Sequence, residues 1–419
     1  MSAVYRVGMV GSPDSGGVSE RARRMVTEST IAPYIVEHIH RSAPPRDPDY
    51  LCLAVAENHL MWDLISEKAN AVRNVGPSAF GYEDMRGSLA LRTALARFLG
   101  DHLFGCEVDT DSIVVMAGAG SVVEALAWAL VDPGGGVLIP TPSYAGYWND
   151  IEARARLRAV PAHTRSEGDF RITEDVLTSA ADTSAVPIGA LLLTNPSNPL
   201  GRTLTDDEVR RSIDWARGRG MPIIMNEVYG LSIHGDTPFR SAASMLGGIP
   251  DDVHFIWAFS KDFASSGLRG GVAVTSNRTV HDVLMQHLYF SAVSGDTQHL
   301  MASMLDDRDW FTRYLAALRQ RLGRSYQVAR STLEAQGVPS IGSDSGIFLL
   351  ADFRHHLDSP TWEAEDRLWR RILEQAGVNL TPGSACRNVE PGFMRVCHAS
   401  APSEVVRAGL ERVASSLAR

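Results

Sequence analysis

Lys261 stands at the end of the apolar run "VHFIWAFS" (253–260), directly after Ser260, and Arg269 follows eight residues later across the small-residue loop of "SKDFASSGLRGG" (260–271). Lysine is rarely buried without a partner or a task. At the inner end of a strand the ammonium either reaches solvent or performs chemistry, and a desolvated amine is a nucleophile and a base. Four further turns carry residues of the same kind: "AGAGS" (117–121), "TPSYAGY" (141–147), "NPSNPLG" (195–201) and "NEVYG" (226–230). In the first, the backbone N–H groups of Ala119, Gly120 and Ser121 can face an anion at a helix N-terminus. Arg269 would add a bidentate, permanently charged clamp to such an anion.

Those turns need a scaffold. From about 110 to 275 the short apolar runs "SIVVMAG", "GGVLIPTPS", "IGALLLTN", "MPIIMNEV", "VHFIWAFS" and "GGVAVTS" alternate with helical stretches such as "SVVEALAWAL" and "TDDEVRRSIDWARGRG". This alternation implies a mostly parallel sheet covered on both faces, with ligands gathering beyond the carboxyl ends of the strands. The glycines, prolines and polar residues concentrate at those ends. After about 300, Phe311, Tyr314, Leu315, Leu318, Leu322, Tyr326, Ala329 and Leu333 recur at three- and four-residue spacing, which predicts a long helix ending near Gly337. The expected architecture is α/β, with a large domain over 61–300 and a smaller α+β domain built from 25–60 and 301–419. Residues 1–24 read as an N-terminal arm, rich in Gly and Ser over most of its length.

With 419 residues, 44% of them hydrophobic, the chain exceeds one ordinary domain and can fill a large core plus a second unit. Its formal net charge of -9 argues against general affinity for nucleic acid or an anionic membrane, because a polyanion is repelled on average. No run approaches the ~18 apolar residues of a membrane span, and the cytoplasm is the expected location. Cys52, Cys106, Cys386 and Cys397 form no CxxC pair and have no histidine at zinc spacing, so they read as reduced thiols and no metal site is expected.

The five turns, taken in order, resemble those of the fold type I pyridoxal-phosphate enzymes of the class I/II aminotransferase group. The resemblance implies pyridoxal 5'-phosphate as cofactor, held by Lys261 as an internal aldimine, with Ser260 beside it; the freed lysine amine would then move the substrate α-proton. Ala119, Gly120, Ser121 and Arg269 would hold the phosphate. Tyr144 matches the aromatic that stacks on the pyridine ring. Asn198 and Tyr229 match the residues that hydrogen-bond the ring's 3-hydroxyl oxygen, and Asn226 stands at the partner of the ring nitrogen. Arg395, in "RVCHAS", matches the arginine that binds the substrate α-carboxylate.

Within that group, "LAVAENHLMWDLI" (53–65), "NPSNPLG", "SKDFASSGLRGG" and "TPGSACRNVEPGFMRVCHA" (381–399) look most like 1-aminocyclopropane-1-carboxylate synthases, from about residue 50 to the end. Those enzymes take S-adenosylmethionine and expel methylthioadenosine by α,γ-elimination. Glu57 would then sit near the sulfonium cation, where a fixed negative charge is favourable. The resemblance also implies a homodimer with shared sites, Tyr82 of "FGYEDMRG" reaching the phosphate across the interface. Three positions depart from the pattern. Asn226 replaces an aspartate that keeps the ring nitrogen protonated, Ala258 replaces a phosphate-contacting serine, and Met85 stands where synthases often have tyrosine. The expected reaction is elimination from S-adenosylmethionine, followed by closure to the cyclopropane amino acid or by capture of a β,γ-unsaturated quinonoid by a second substrate, as in γ-replacement or annulation. An amino-acid aminotransferase is the alternative enzyme. A DNA-binding regulator built on this fold is the alternative outside enzymes, and residues 1–50 are short and glycine-rich for its helix-turn-helix arm.

Overall fold

A computed structural model describes residues 17–28, 31–44 and 47–417. Seven strands form the main sheet: β1 (Ile113–Ala117), β2 (Gly136–Thr141), β3 (Arg158–His163), β4 (Ile188–Thr194), β5 (Ile223–Asn226), β6 (Val253–Ala258) and β7 (Gly270–Val274). Their order across the sheet is β1-β7-β6-β5-β4-β2-β3. Only β7 runs against its neighbours, and the remaining pairs are parallel. The six expected runs are all strands. β5, β6 and β7 are buried along their whole length, which is why they read as unbroken apolar stretches. β3 was not expected: it is an edge strand of mixed burial with Pro161 inside it, and such a strand carries a weak signal.

The two helices singled out above form as Ala119–Leu130 and Asp206–Gly218. The second begins at a reciprocal cap in which Thr205 Oγ1 accepts from the Glu208 N–H and the Glu208 carboxylate accepts from the Thr205 N–H. At the other end of the chain, β8 (Phe348–Asp352), β9 (Thr381–Pro382) and β10 (Phe393–Cys397) make a small antiparallel sheet in the order β9-β10-β8. Leu51–Cys52 pairs in parallel with Val378–Asn379, bringing an N-terminal segment onto the C-terminal part of the chain.

The helix Arg308–Glu334 belongs to both halves. Trp310, Phe311, Tyr314, Leu318 and Leu322 pack into the core around the main sheet, whereas Tyr326, Ala329 and Leu333 pack into a second core with Tyr34, Leu53, Trp369, Val378 and Leu410. Each of its fully buried leucines contributes about 1.5–3 kcal/mol by leaving water. Of the stretch read as an N-terminal arm, residues 1–16 lie outside the described residues, and Glu20–Glu28 is helical. Among the described residues no helix is long and apolar enough to cross a membrane.

Candidate active site

β6 delivers Lys261. The strand ends at Ala258, and one helical turn, Phe259–Asp262, wedges the fully buried Phe259 and Phe263 into the core on either side of the lysine. Asp262 then locks the turn, accepting from Trp257 Nε1 (2.9 Å), Ser232 Oγ (2.7 Å) and the Leu231 N–H (3.1 Å), so the loop bearing Tyr229 is tied to the residue after Lys261. Burial raises the Asp262 carboxyl to about 7. The Lys261 ammonium donates to the carbonyl of Ala56, and burial brings it down to about 8, with Arg395 and Arg269 pushing the same way. Ser260 is buried next to it, and its carbonyl accepts from Ser266 Oγ at 3.1 Å.

The turn after β1 makes an anion cup. Gly118 has φ +89°, and a side chain there would run into the Arg269 guanidinium, so glycine is what lets that charge approach the helix N-terminus. Arg269 is itself left-handed (φ +54°), and its Nη1 donates to the Ser266 carbonyl at 2.9 Å. Ser121 is committed inside the turn: its N–H donates to the Gly118 carbonyl (3.1 Å) and its hydroxyl to that of Ala117 (3.0 Å). The N–H groups of Ala119 and Gly120 have no acceptor among the described residues. Asp150 borders Gly120, and burial together with Glu124 raises its carboxyl to about 7 against the pull of Arg269.

Beneath the cup, Asn226 at the end of β5 donates from Nδ2 to Tyr147 Oη at 2.7 Å, and Tyr147 Oη lies 2.7 Å from Thr194 Oγ1 at the end of β4. Tyr144 meets Tyr147 edge to face (5.3 Å, 84°) with its own ring partly open to solvent. Tyr229 is buried, edge to face with Phe348 (5.2 Å, 78°), and its hydroxyl has no hydrogen-bond partner among the described residues.

Arg395 lies across from these groups on β10. Its Nη1 donates to Asn198 Oδ1 (2.9 Å), and its Nη2 to Thr381 Oγ1 (3.1 Å) and to the Ala54 carbonyl. The sheet register sets Thr381 directly opposite Arg395. The guanidinium is 1% exposed and, among the described residues, has no carboxylate partner and leaves Nε without an acceptor. A fully buried cation held only by neutral groups calls for an anion. Glu57 follows the Ala56 carbonyl that receives Lys261; its carboxylate holds His59 Nε2 at 3.1 Å, and that contact pulls the carboxyl down and the imidazole up.

The fold thus gathers Lys261, Arg269, Ala119, Gly120, Asn226, Tyr229, Asn198, Arg395 and Glu57 around the carboxyl edge of the main sheet. Two expected residues stand apart. Tyr82 is fully exposed, and Met85 is half-buried against the large core beside the Asp84–Arg86 ion pair. Sequence reasoning missed Tyr147, Thr194, Thr381, Asp262 and the carbonyls of Ala54 and Ala56. Tyr147 had a signal in lying three residues after Tyr144; backbone carbonyls have none.

Residues 49–413 match the family described as aminotransferase class I and II. The chain belongs to that family. It is 32% identical over 384 residues to a 1-aminocyclopropane-1-carboxylate synthase of Malus domestica, covering 86% of this chain and 81% of that one. A synthase of Cucurbita maxima is 31% identical over 385 residues, covering 87% and 81%. Among solved structures, the aspartate aminotransferase of Thermus thermophilus superposes with a TM-score of 0.83 at 20% identity, covering 96% of this chain and 99% of that one. A Pyrococcus protein gives a TM-score of 0.82 at 22% identity, covering 94% and 97%. The fold is therefore that of the fold type I aminotransferases, and pyridoxal 5'-phosphate is the cofactor. The site fits it: the cup supplies two open N–H donors and a guanidinium for a phosphate, with a desolvated lysine amine at the neighbouring strand end.

Proposed function

We propose that the chain is a homodimeric cytoplasmic enzyme that binds S-adenosylmethionine and expels methylthioadenosine from its γ-carbon. The observation that carries this reading is the pairing of a buried guanidinium, Arg395, which has no anion among the described residues, with a carboxylate, Glu57, on the segment that lies against Lys261. An amino acid with a cationic side chain satisfies both. The synthase relatives support the same substrate, since Glu57 lies in the part of the chain that resembles them.

When bound, the cofactor supplies a conjugated electron sink for the substrate's α-carbon. The chain's residues do the rest. Ala119, Gly120 and Arg269 would hold the phosphate, aided by Tyr82 of a second copy; Ser121 stiffens the turn. Tyr144 would pack on the ring, Tyr229 and Asn198 would hydrogen-bond its 3-hydroxyl oxygen, and Arg395 would fix the substrate carboxylate. Lys261 Nζ takes the α-proton, while Glu57 steadies the sulfonium. The Cγ–S bond then breaks with its electron pair leaving on sulfur, so the departing group is a neutral thioether. Either the α-carbon's electron pair forms the α-to-γ bond as the thioether leaves, or a β-proton is removed as well, its C–H pair forming a Cβ=Cγ double bond to which a second substrate then adds.

The test is to mix the cofactor-loaded protein with S-adenosylmethionine, without any 2-oxo acid, and follow products by mass spectrometry. Methylthioadenosine together with the cyclopropane amino acid identifies a synthase. Methylthioadenosine without it identifies a fragment awaiting a second substrate. No release, with turnover of an amino acid only when a 2-oxo acid is consumed, overturns the proposal in favour of an aminotransferase.

A further inference from the structure

The Asn226 amide is committed on two sides. Nδ2 donates to Tyr147 Oη at 2.7 Å, and Oδ1 accepts the Val228 N–H at 3.3 Å. The amide cannot be reversed, because turning it over would set Nδ2 against the Val228 N–H, donor against donor. Tyr147 cannot drift either: it is fully buried, its ring packs on Tyr144, and its hydroxyl is shared with Thr194 Oγ1 at 2.7 Å. This leaves the second Nδ2 hydrogen of a buried residue with no acceptor among the described residues. A buried N–H without an acceptor is costly, so its position selects for one.

We propose that Tyr147 is a positioning residue that aims this remaining Asn226 N–H at the ring nitrogen of the cofactor, which is thereby held as an unprotonated acceptor. An aspartate at 226 would do the reverse, since its charge favours the protonated ring. The asparagine is therefore not a weakened aspartate but half of a two-residue device whose other half is a phenol fixed by Thr194. An unprotonated ring withdraws electrons less strongly, so charge formed at the substrate's α-carbon stays on the substrate, where it can expel a γ-leaving group. The inference rests on the cofactor, not on the identity of the substrate.

The test uses the resting holoenzyme, reconstituted with cofactor labelled with nitrogen-15 in the ring, and reads the ring-nitrogen resonance by NMR. The wild type is expected at the position of an unprotonated pyridine, and Asn226→Asp at that of a pyridinium. Tyr147→Phe, which keeps the aromatic packing and removes only the hydroxyl, is expected to displace the resonance, but to leave it unmoved when Asn226→Asp is also present. A pyridinium resonance in the wild type would overturn the inference. An unchanged resonance in Tyr147→Phe would remove Tyr147 from it. Should Tyr147→Phe fail to fold, Thr194→Val probes the same hydroxyl from its other side and is expected to displace the resonance in the same direction. No substrate is present, so the outcome is independent of whether S-adenosylmethionine is turned over.

Discussion

Arg395 donates to Asn198 Oδ1 at 2.9 Å across 197 positions of sequence, joining the strand proposed to face the substrate to the loop proposed to face the cofactor. Two residues assigned to different partners are one hydrogen-bonded unit. Arg395→Lys keeps the charge but loses the fork, leaving Asn198, Thr381 and the Ala54 carbonyl short of donors. We expect amino-acid binding to weaken by about 1.5–3 kcal/mol, the worth of a charged hydrogen bond. Spectral titration of the holoenzyme with substrate reads this directly; an unchanged dissociation constant would take Arg395 out of the substrate site.

Glu57 separates the sulfonium reading from its rivals. Its carboxylate is partly exposed, so removal of its charge by Glu57→Gln should cost only about 1 kcal/mol, a several-fold rise in KM for S-adenosylmethionine. Binding of alanine, whose side chain is neutral, should not change. Equal weakening of both ligands would show that Glu57 acts on the backbone of the site, not on a cation.

The depressed Lys261 ammonium makes a statement about pH and stability in the apoenzyme. Its folded value, about 8, lies below the unfolded value of 10.5, so between those limits the unfolded chain carries a proton that the folded chain lacks. Stability therefore rises with pH through that window, by roughly 3–4 kcal/mol in total. Lys261→Met should be more stable than wild-type apoenzyme at pH 7, and the gap should close toward pH 10.5. Denaturant unfolding of the two proteins across this range checks the sign. The same variant should abolish the visible absorbance of the reconstituted enzyme.

Asp262 anchors three buried donors that have no other acceptor among the described residues. Asp262→Ala should cost roughly 3–5 kcal/mol in global stability, the range for stranding buried partners of a charged group. Thermal unfolding of the holoenzyme measures it. A loss below 1 kcal/mol would mean that water replaces the carboxylate.

What could be read from the residues follows the range of the forces involved. Strands buried on both faces announce themselves by composition, and turns at their ends by local chemistry, so β6, Lys261 and the Gly118 cup were legible. β3 was not, because an edge strand with a proline satisfies neither pattern. The links from Arg395 to Asn198, and from Lys261 to Ala56, depend on how distant segments close on one another, and a backbone carbonyl leaves no trace in residue type. Asn226 was visible as a departure, but its meaning lay in Tyr147, on a different strand's loop.

The helix Arg308–Glu334 passes from one core to the other between Leu322 and Tyr326, and the residue at the handover is Gly323. At 27 residues it is a rod of roughly 40 Å whose least rigid link falls where its loads change. A methyl group at 323 would rest at ordinary contact distance from His234, so Gly323→Ala is sterically free. It should stiffen the rod and raise stability by about 0.5–1 kcal/mol. If the two cores must flex about that link for substrate to enter and leave, the same substitution will slow turnover while leaving affinity for the cofactor intact: a gain in strength exchanged for a loss in articulation.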